Sequence, residues 1–255
     1  MKKTATKIAG GGKNVTACHH CPLRKLSTFR DFTPQELKFM ETFKTGELKV
    51  AAGDTILLDG TASEYLYTML SGWAFRLKTL DDGRRQILNF ALPGDFLGLQ
   101  SSVFEKMEHS IEALTASVLC MFPREKVWGL FQNYPGLALD TTWLAARQEN
   151  LLDEHLLNVG QRFALERMSY LLLQLYRRAA QSGLVTHKKA DFPFTQQHLG
   201  DALGFSTVHT NKTLRRLRAT GAIRWAGTTF EVLDEERLIE LARHPAFTSG
   251  LRPLF

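Results

Sequence analysis

The stretch TQQHLGDALGFSTVHTNKTLRRL, Thr195 to Leu217, decides how the chain is read. Thr195 is placed to cap a short first helix, because its hydroxyl accepts from a backbone N–H that the first turn leaves unpaired. Leu199 and Ala202 form the buried face of that helix. Gly204 then permits a sharp turn, since glycine takes positive φ at no steric cost. Ser206 caps a second helix, with Leu214 and Leu217 toward the core. Its opposite side presents Thr207, His209, Asn211, Lys212, Arg215 and Arg216. Small polar side chains near the start of such a helix reach base edges in a DNA major groove, and arginines further along reach phosphates.

The flanking sequence supports the same reading. Ala222 to Trp225 and Thr229 to Leu233 lie either side of Gly227, as the two strands of a wing would, and Asp234 to Ala242 supplies a closing helix. From Ala202 to Phe230 there is no acidic residue, while Lys212, Arg215, Arg216, Arg218 and Arg224 all fall there. A charge run alone reads as readily as a solvated helix face. Helix, glycine turn, basic helix and wing together favour a nucleic-acid partner, and the net charge of +6 suits one.

Toward the amino terminus, Arg162 to Ala180 is expected to form a helix with Met168, Leu171, Leu172 and Leu175 inward, ended by Gly183. Before it, Leu137 to Val159 contains no proline or glycine. Leu137, Leu144 and Leu151 recur every seven residues, and Ala145, Leu152 and Val159 repeat the spacing. That period predicts a self-pairing helix, with Leu137, Leu144, Leu151, Leu152 and Val159 as the dimerisation seam. Trp143, Leu156 and Leu157 widen the stripe. The alternative is an amphipathic helix packed on its own domain.

Lys49 to Pro123 changes to short strands cut by glycines. Trp73, Phe75, Leu77 and Thr79 alternate with Ala74, Arg76, Lys78 and Leu80, a period of two, and Asp82-Gly83 offers a hairpin turn. A small antiparallel barrel or roll is the expected result. Ahead of it, Thr33-Pro34-Gln35-Glu36 has the form of a capping box, and Leu37, Met40 and Phe43 make the apolar face of the helix that follows. Residues 1 to 16, rich in Lys, Thr and Gly, read as a flexible tail.

Several classes drop out. No run approaches the roughly 20 apolar residues that cross a bilayer, and no apolar stretch follows the first lysines as in a signal peptide, so a cytoplasmic protein is expected. There is no P-loop, no GxSxG elbow and no HExxH, and His155 within the long helix suits an interface better than catalysis, so no enzyme is expected. Three cysteines, Cys18 and Cys21 in a CxxC and Cys120 far away, argue against a disulfide scaffold.

The order of elements, with Leu92-Pro-Gly-Asp-Phe-Leu-Gly in the roll and Thr195 to Leu217 in the helix-turn-helix, resembles the CRP/FNR superfamily of bacterial transcription regulators. The resemblance covers residues 18 to 245. It implies an α+β chain in which residues 1–30 carry the CxxC in a flexible segment and 31–134 form a cyclic-nucleotide-binding-like antiparallel β-roll. A dimerisation helix over 135–160 and a winged helix-turn-helix over 161–255 would follow. It also implies a homodimer on palindromic double-stranded DNA, touching RNA polymerase if it activates. The DNA-facing set is then Ser206, Thr207, Val208, His209, Asn211, Lys212, Arg215 and Arg216. Val208 and Lys212 stand where members commonly carry Glu and Arg, which predicts a different half-site.

Cyclic-nucleotide binding is not expected. Members that bind cAMP place Glu after the glycine corresponding to Gly98 and Arg before the serine corresponding to Ser110, where this chain has Leu99 and His109. Leu accepts no ribose hydrogen bond, and a neutral His lacks the fixed charge of Arg. The oxygen-sensing FNR branch is closer. Cys18, Cys21 and Cys120 fall where three of its four iron–sulfur ligands lie, and Ser27 takes the fourth position. An iron–sulfur cluster completed by His19, His20 or an exogenous ligand, a zinc ion, a thiol redox switch and idle cysteines all remain open.

Overall fold

The computed structural model describes residues 8–10, 15–244 and 250–255, and the chain divides into two compact units. Residues up to Leu77, Ala91–Glu149 and Leu251–Phe255 form the first; Lys78–Phe90 and Asn150–Gly250 form the second. This division differs from consecutive blocks at two places: the hairpin segment Lys78–Phe90 and the last five residues each group with the unit remote from them in sequence.

The first unit is a β-roll with helices on one face. Strands β1 (Ile8–Gly10), β2 (Gly46–Val50), β3 (Thr55–Leu57), β4 (Tyr65–Ser71), β5 (Ala74–Thr79), β7 (Phe96–Leu97), β8 (Ser110–Ala113) and β9 (Ser117–Pro123) supply its sheets, while β6 (Arg85–Ala91) falls, but for Ala91, in the segment that groups with the second unit. One sheet runs β1-β2-β9-β4-β7 with antiparallel neighbours, and β3, β8 and β5 lie side by side in the other. The central β9 shows why the period-two pattern matters. Leu119 and Met121 join Leu48, Met69 and Ile111 in the roll interior, while Cys120 and Phe122 point to the opposite face. There they meet Met40 and Phe43 of helix α1 (Pro34–Phe43), which starts on the expected capping box of Thr33 and Glu36.

Three expectations change here. The amino-terminal segment is not uniformly a loose tail: Ile8–Gly10 pairs with Gly46–Leu48, and Leu23 and Phe29 are buried. The expectation for residues 1–7 and 11–14 lies outside the described residues. In β5 the alternation is not inside against outside, because Ala74 and Arg76 are buried as well as Phe75 and Leu77. Arg76 is held there by His109, whose ring it meets at 2.9 Å, and by Gln148 at 2.8 Å.

The third concerns the long helix. After helices α2 (Leu99–Phe104) and α3 (Val127–Asn133), helix α4 runs from Pro135 to Gln161. Leu137, Leu144 and Leu151 are buried within their own chain, the first two in the core beside Met40, Phe43 and Phe122. Burial of Leu137 and Leu144 follows from the sheet and α1 behind them, which an isolated heptad pattern does not reveal. Leu139, Trp143, Leu156 and Leu157 are the large apolar residues left exposed, with Leu152 and Val159 half-buried.

The second unit contains α5 (Ala164–Gln181), β10 (Val185–Thr186), β11 (Lys189–Asp191), α6 (Gln196–Leu203), α7 (Thr207–Ala219), β12 (Ile223–Ala226), β13 (Thr229–Val232) and α8 (Glu235–Ala242). Met168, Leu171, Leu172 and Leu175 of α5 are buried as the sequence predicts, with Leu199, Leu203, Leu214, Leu217, Phe230 and Leu238. The wing is larger than expected. Strands β10 and β11 add to it, giving a four-stranded antiparallel sheet in the order β10-β11-β13-β12.

Candidate nucleic-acid interface and cysteine cavity

Helices α6 and α7 are set by their caps. The Thr195 hydroxyl accepts from the His198 N–H at 3.2 Å, and His198 Nδ1 accepts from the Thr195 N–H at 3.2 Å. The Ser206 hydroxyl accepts from the His209 N–H at 3.2 Å. Gly204 between them takes φ +68°, the left-handed conformation that the turn requires. The crossing is tight: a Cβ on Gly200 would lie 2.8 Å from the Phe205 carbonyl oxygen.

On α7, Thr210, Thr213, Leu214 and Leu217 face the core. Ser206, Thr207, Val208, His209, Lys212, Arg215 and Arg216 are exposed, and Asn211 is half-buried. Val208 is 81% exposed, so an apolar group stands at the water-facing start of a polar surface. His209 is steered by edge-on contact with the Phe205 ring at 4.6 Å. In the wing, Arg224 is exposed and pairs with Glu231 at 3.0 Å.

Sequence reading missed what braces α6. Within the same unit, Arg85 meets Asp201 at 2.6 Å, and the Gln86 amide donates to the Ala202 carbonyl at 3.0 Å. Phe90 meets Phe194 edge-on at 4.7 Å. The Asp82-Gly83 turn that carries these residues forms as expected, with Gly83 at φ +86°. Nothing local in the sequence announces its partners, which lie more than a hundred residues on.

In the first unit the three cysteines share one cavity of about 30 Å³, lined also by Arg24, Phe32, Met40 and Lys44 and by Leu254 and Phe255. Burial pushes the Cys120 thiol up to about 12 against the pull of Lys44, and burial raises Cys18 too. Lys44 donates to Glu47 at 2.8 Å and to the Thr16 carbonyl at 2.6 Å. The residues do not fit a four-thiolate cluster. Ser27 is exposed and lines no part of the cavity, and His19 and His20 are exposed, with His19 turned onto Glu41. Among the described residues no group of three or more His, Cys, Asp or Glu is arranged to hold a metal ion. At the positions discussed for cyclic nucleotides, Leu99 is half-buried and His109 is buried.

A β-roll unit and a winged helix-turn-helix with an exposed basic second helix are the architecture of a transcription regulator. Residues 47–134 match the cyclic nucleotide-binding domain model, and residues 166–241 match the Crp-like helix-turn-helix domain model. The nitrogen fixation regulation protein FixK of Azorhizobium caulinodans is 30% identical over 68% of this chain and 69% of its own length. The transcriptional activator protein FnrL of Cereibacter sphaeroides is 25% identical over 88% of this chain and 91% of its own. The solved structure of FixK2 from Bradyrhizobium japonicum superposes with a TM-score of 0.71 at 25% identity, covering 79% of this chain and 98% of that one. The chain belongs to the CRP/FNR family, in its FNR-like branch. No helix among the described residues is long and apolar enough to cross a membrane.

Proposed function

We propose that the protein is a sequence-specific regulator that binds palindromic double-stranded DNA as a homodimer, reading bases with the exposed face of α7. The observation that carries this is the placement of Ser206, Thr207, Val208, His209, Asn211 and Lys212 on the outward start of a capped helix, with Arg215 and Arg216 behind them. Asn211 and Lys212 supply base contacts and the arginines position the helix on phosphates. Val208 fits a thymine methyl rather than the cytosine amine that Glu accepts from. An activator of this kind also touches RNA polymerase.

The second copy binds along α4 through Leu139, Trp143, Leu156 and Leu157, supported by Leu152 and Val159. These are the large apolar residues that the helix leaves exposed or half-buried.

The signal is oxygen or redox state, read by Cys18, Cys21 and Cys120. This rests on the convergence of all three thiols on one cavity. An unidentified small molecule in the roll is the second reading, favoured by Arg76, a buried arginine hydrogen-bonded to His109 and Gln148. The deciding experiment purifies the protein without oxygen and measures iron, sulfide, zinc, free thiols and affinity for a selected duplex, before and after air. A change in thiol count together with affinity supports the redox reading. Equal DNA affinity in both states removes it and leaves the small-molecule reading.

A further inference from the structure

Leu251–Phe255 group with the first unit, although the chain up to Gly250 groups with the second. The Arg252 N–H donates to the Thr28 carbonyl at 2.8 Å, and the Arg30 N–H donates to the Arg252 carbonyl at 2.9 Å, a short parallel bridge beside Phe29. The Arg252 guanidinium reaches Asp95 at 2.7 Å and the Gly94 carbonyl at 3.0 Å, and it lies over the Phe29 ring at 5.0 Å. Both members of the Arg252–Asp95 pair have side chains only 3% exposed. Leu254 and Phe255 are buried, and Phe255 packs on Phe96 with ring centres 5.1 Å apart.

The receiving surface is built for this segment. Asp95 belongs to the turn after Leu92, where its other oxygen accepts from the Leu92 N–H at 2.8 Å, which aims the carboxylate. Gly94 takes φ +88°, and a Cβ there would lie 2.3 Å from the Phe29 ring, so the wall of the arginine slot requires glycine. Beyond the slot, Leu254 and Phe255 form part of the wall of the cavity that holds Cys18, Cys21 and Cys120.

We propose that the first unit carries a peptide-binding site for the sequence Arg-Pro-Leu-Phe, filled in cis by residues 252–255, and that this segment shields the three thiols. The site takes a basic residue in the Asp95 slot and an aromatic one three positions later against Phe96. A ligand or reagent reaching Cys120 must first displace the segment. This inference stands whether or not the thiols sense a signal.

The test uses the full chain and reads alkylation of each cysteine by iodoacetamide with mass spectrometry. Phe255→Ala and, separately, Arg252→Ala are expected to speed modification of Cys120 by about tenfold or more, by raising the population in which the segment is released. Adding the free peptide Leu-Arg-Pro-Leu-Phe to Phe255→Ala is expected to slow it again. Hydrogen exchange on the unsubstituted chain gives a readout independent of any variant, with the Arg252 amide expected to be protected. Unchanged Cys120 alkylation in both variants, or an Arg252 amide exchanging as in a free peptide, overturns the proposal. Loss of DNA affinity alone bears on the regulator reading and not on this one.

Discussion

The recognition helix and the cysteine cavity keep their polar groups in opposite places. On α7, Thr207, His209, Lys212, Arg215 and Arg216 face water. Around the cavity, Lys44 is paired with Glu47 and Arg252 with Asp95, all four side chains nearly out of water. Exposed cations cost little to carry and wait for an anionic surface, whereas buried ones persist only with a partner in place. One surface leaves its cations open to solvent. The other closes on the chain itself.

The sharpest way to break this contrast is to remove one member of the buried pair. Arg252→Ala or Asp95→Asn is expected to lower the stability of the first unit by about 3–5 kcal/mol in denaturant unfolding, because the partner is left buried and unpaired. A loss under about 1 kcal/mol, the size seen for exposed pairs, would place the segment at the surface. On α4 the contrast recurs between two faces of one helix. Leu144→Ala is expected to cost about 2–5 kcal/mol of chain stability through the cavity it leaves. Trp143→Ala should leave unfolding of the chain nearly unchanged and weaken self-association in sedimentation; the reverse pattern would restore Leu144 to the seam.

On α7, Lys212→Ala or Asn211→Ala should weaken binding to a selected duplex by about 1–3 kcal/mol relative to random DNA. Equal losses on both duplexes would remove the base-reading role. For the cavity, a thiol held near 12 is almost wholly protonated at neutral pH. Alkylation of Cys120 should therefore rise about tenfold per pH unit from 7 to 10, since the thiolate is the nucleophile. A plateau near pH 9 would mean the cavity does not bury it. The smallest effect belongs to Arg216→Ala, expected to reduce the salt slope of DNA binding by about 1 and to matter less as salt rises.

The helix-turn-helix was legible because its signals are local. Thr195, Gly204 and Ser206 each act through a neighbour within a few residues, and the apolar and polar positions of α7 separate at helical spacing. The capping box at Thr33 and the Asp82-Gly83 turn were readable for the same reason. The burial of Leu137 and Leu144 was not legible because a seven-residue period states only that two faces differ. Which face is buried by its own chain depends on α1 and β9 lying behind Leu137 and Leu144. The joining of Cys120 to Cys18 and Cys21 was suggested by resemblance, yet the small size of the cavity and the absence of Ser27 from its wall are spatial facts.

By itself the sequence determined the helix-turn-helix, its caps, the basic helix and its outward face, since periodicity and hydrogen bonds over three or four residues fix them. Only the tertiary structure decided that Arg85 meets Asp201, that Arg252 finds Asp95, and that Phe255 closes on Phe96. Each of those pairings joins residues more than a hundred positions apart. Their stability comes from desolvation and packing in three dimensions, for which one-dimensional spacing carries no signal.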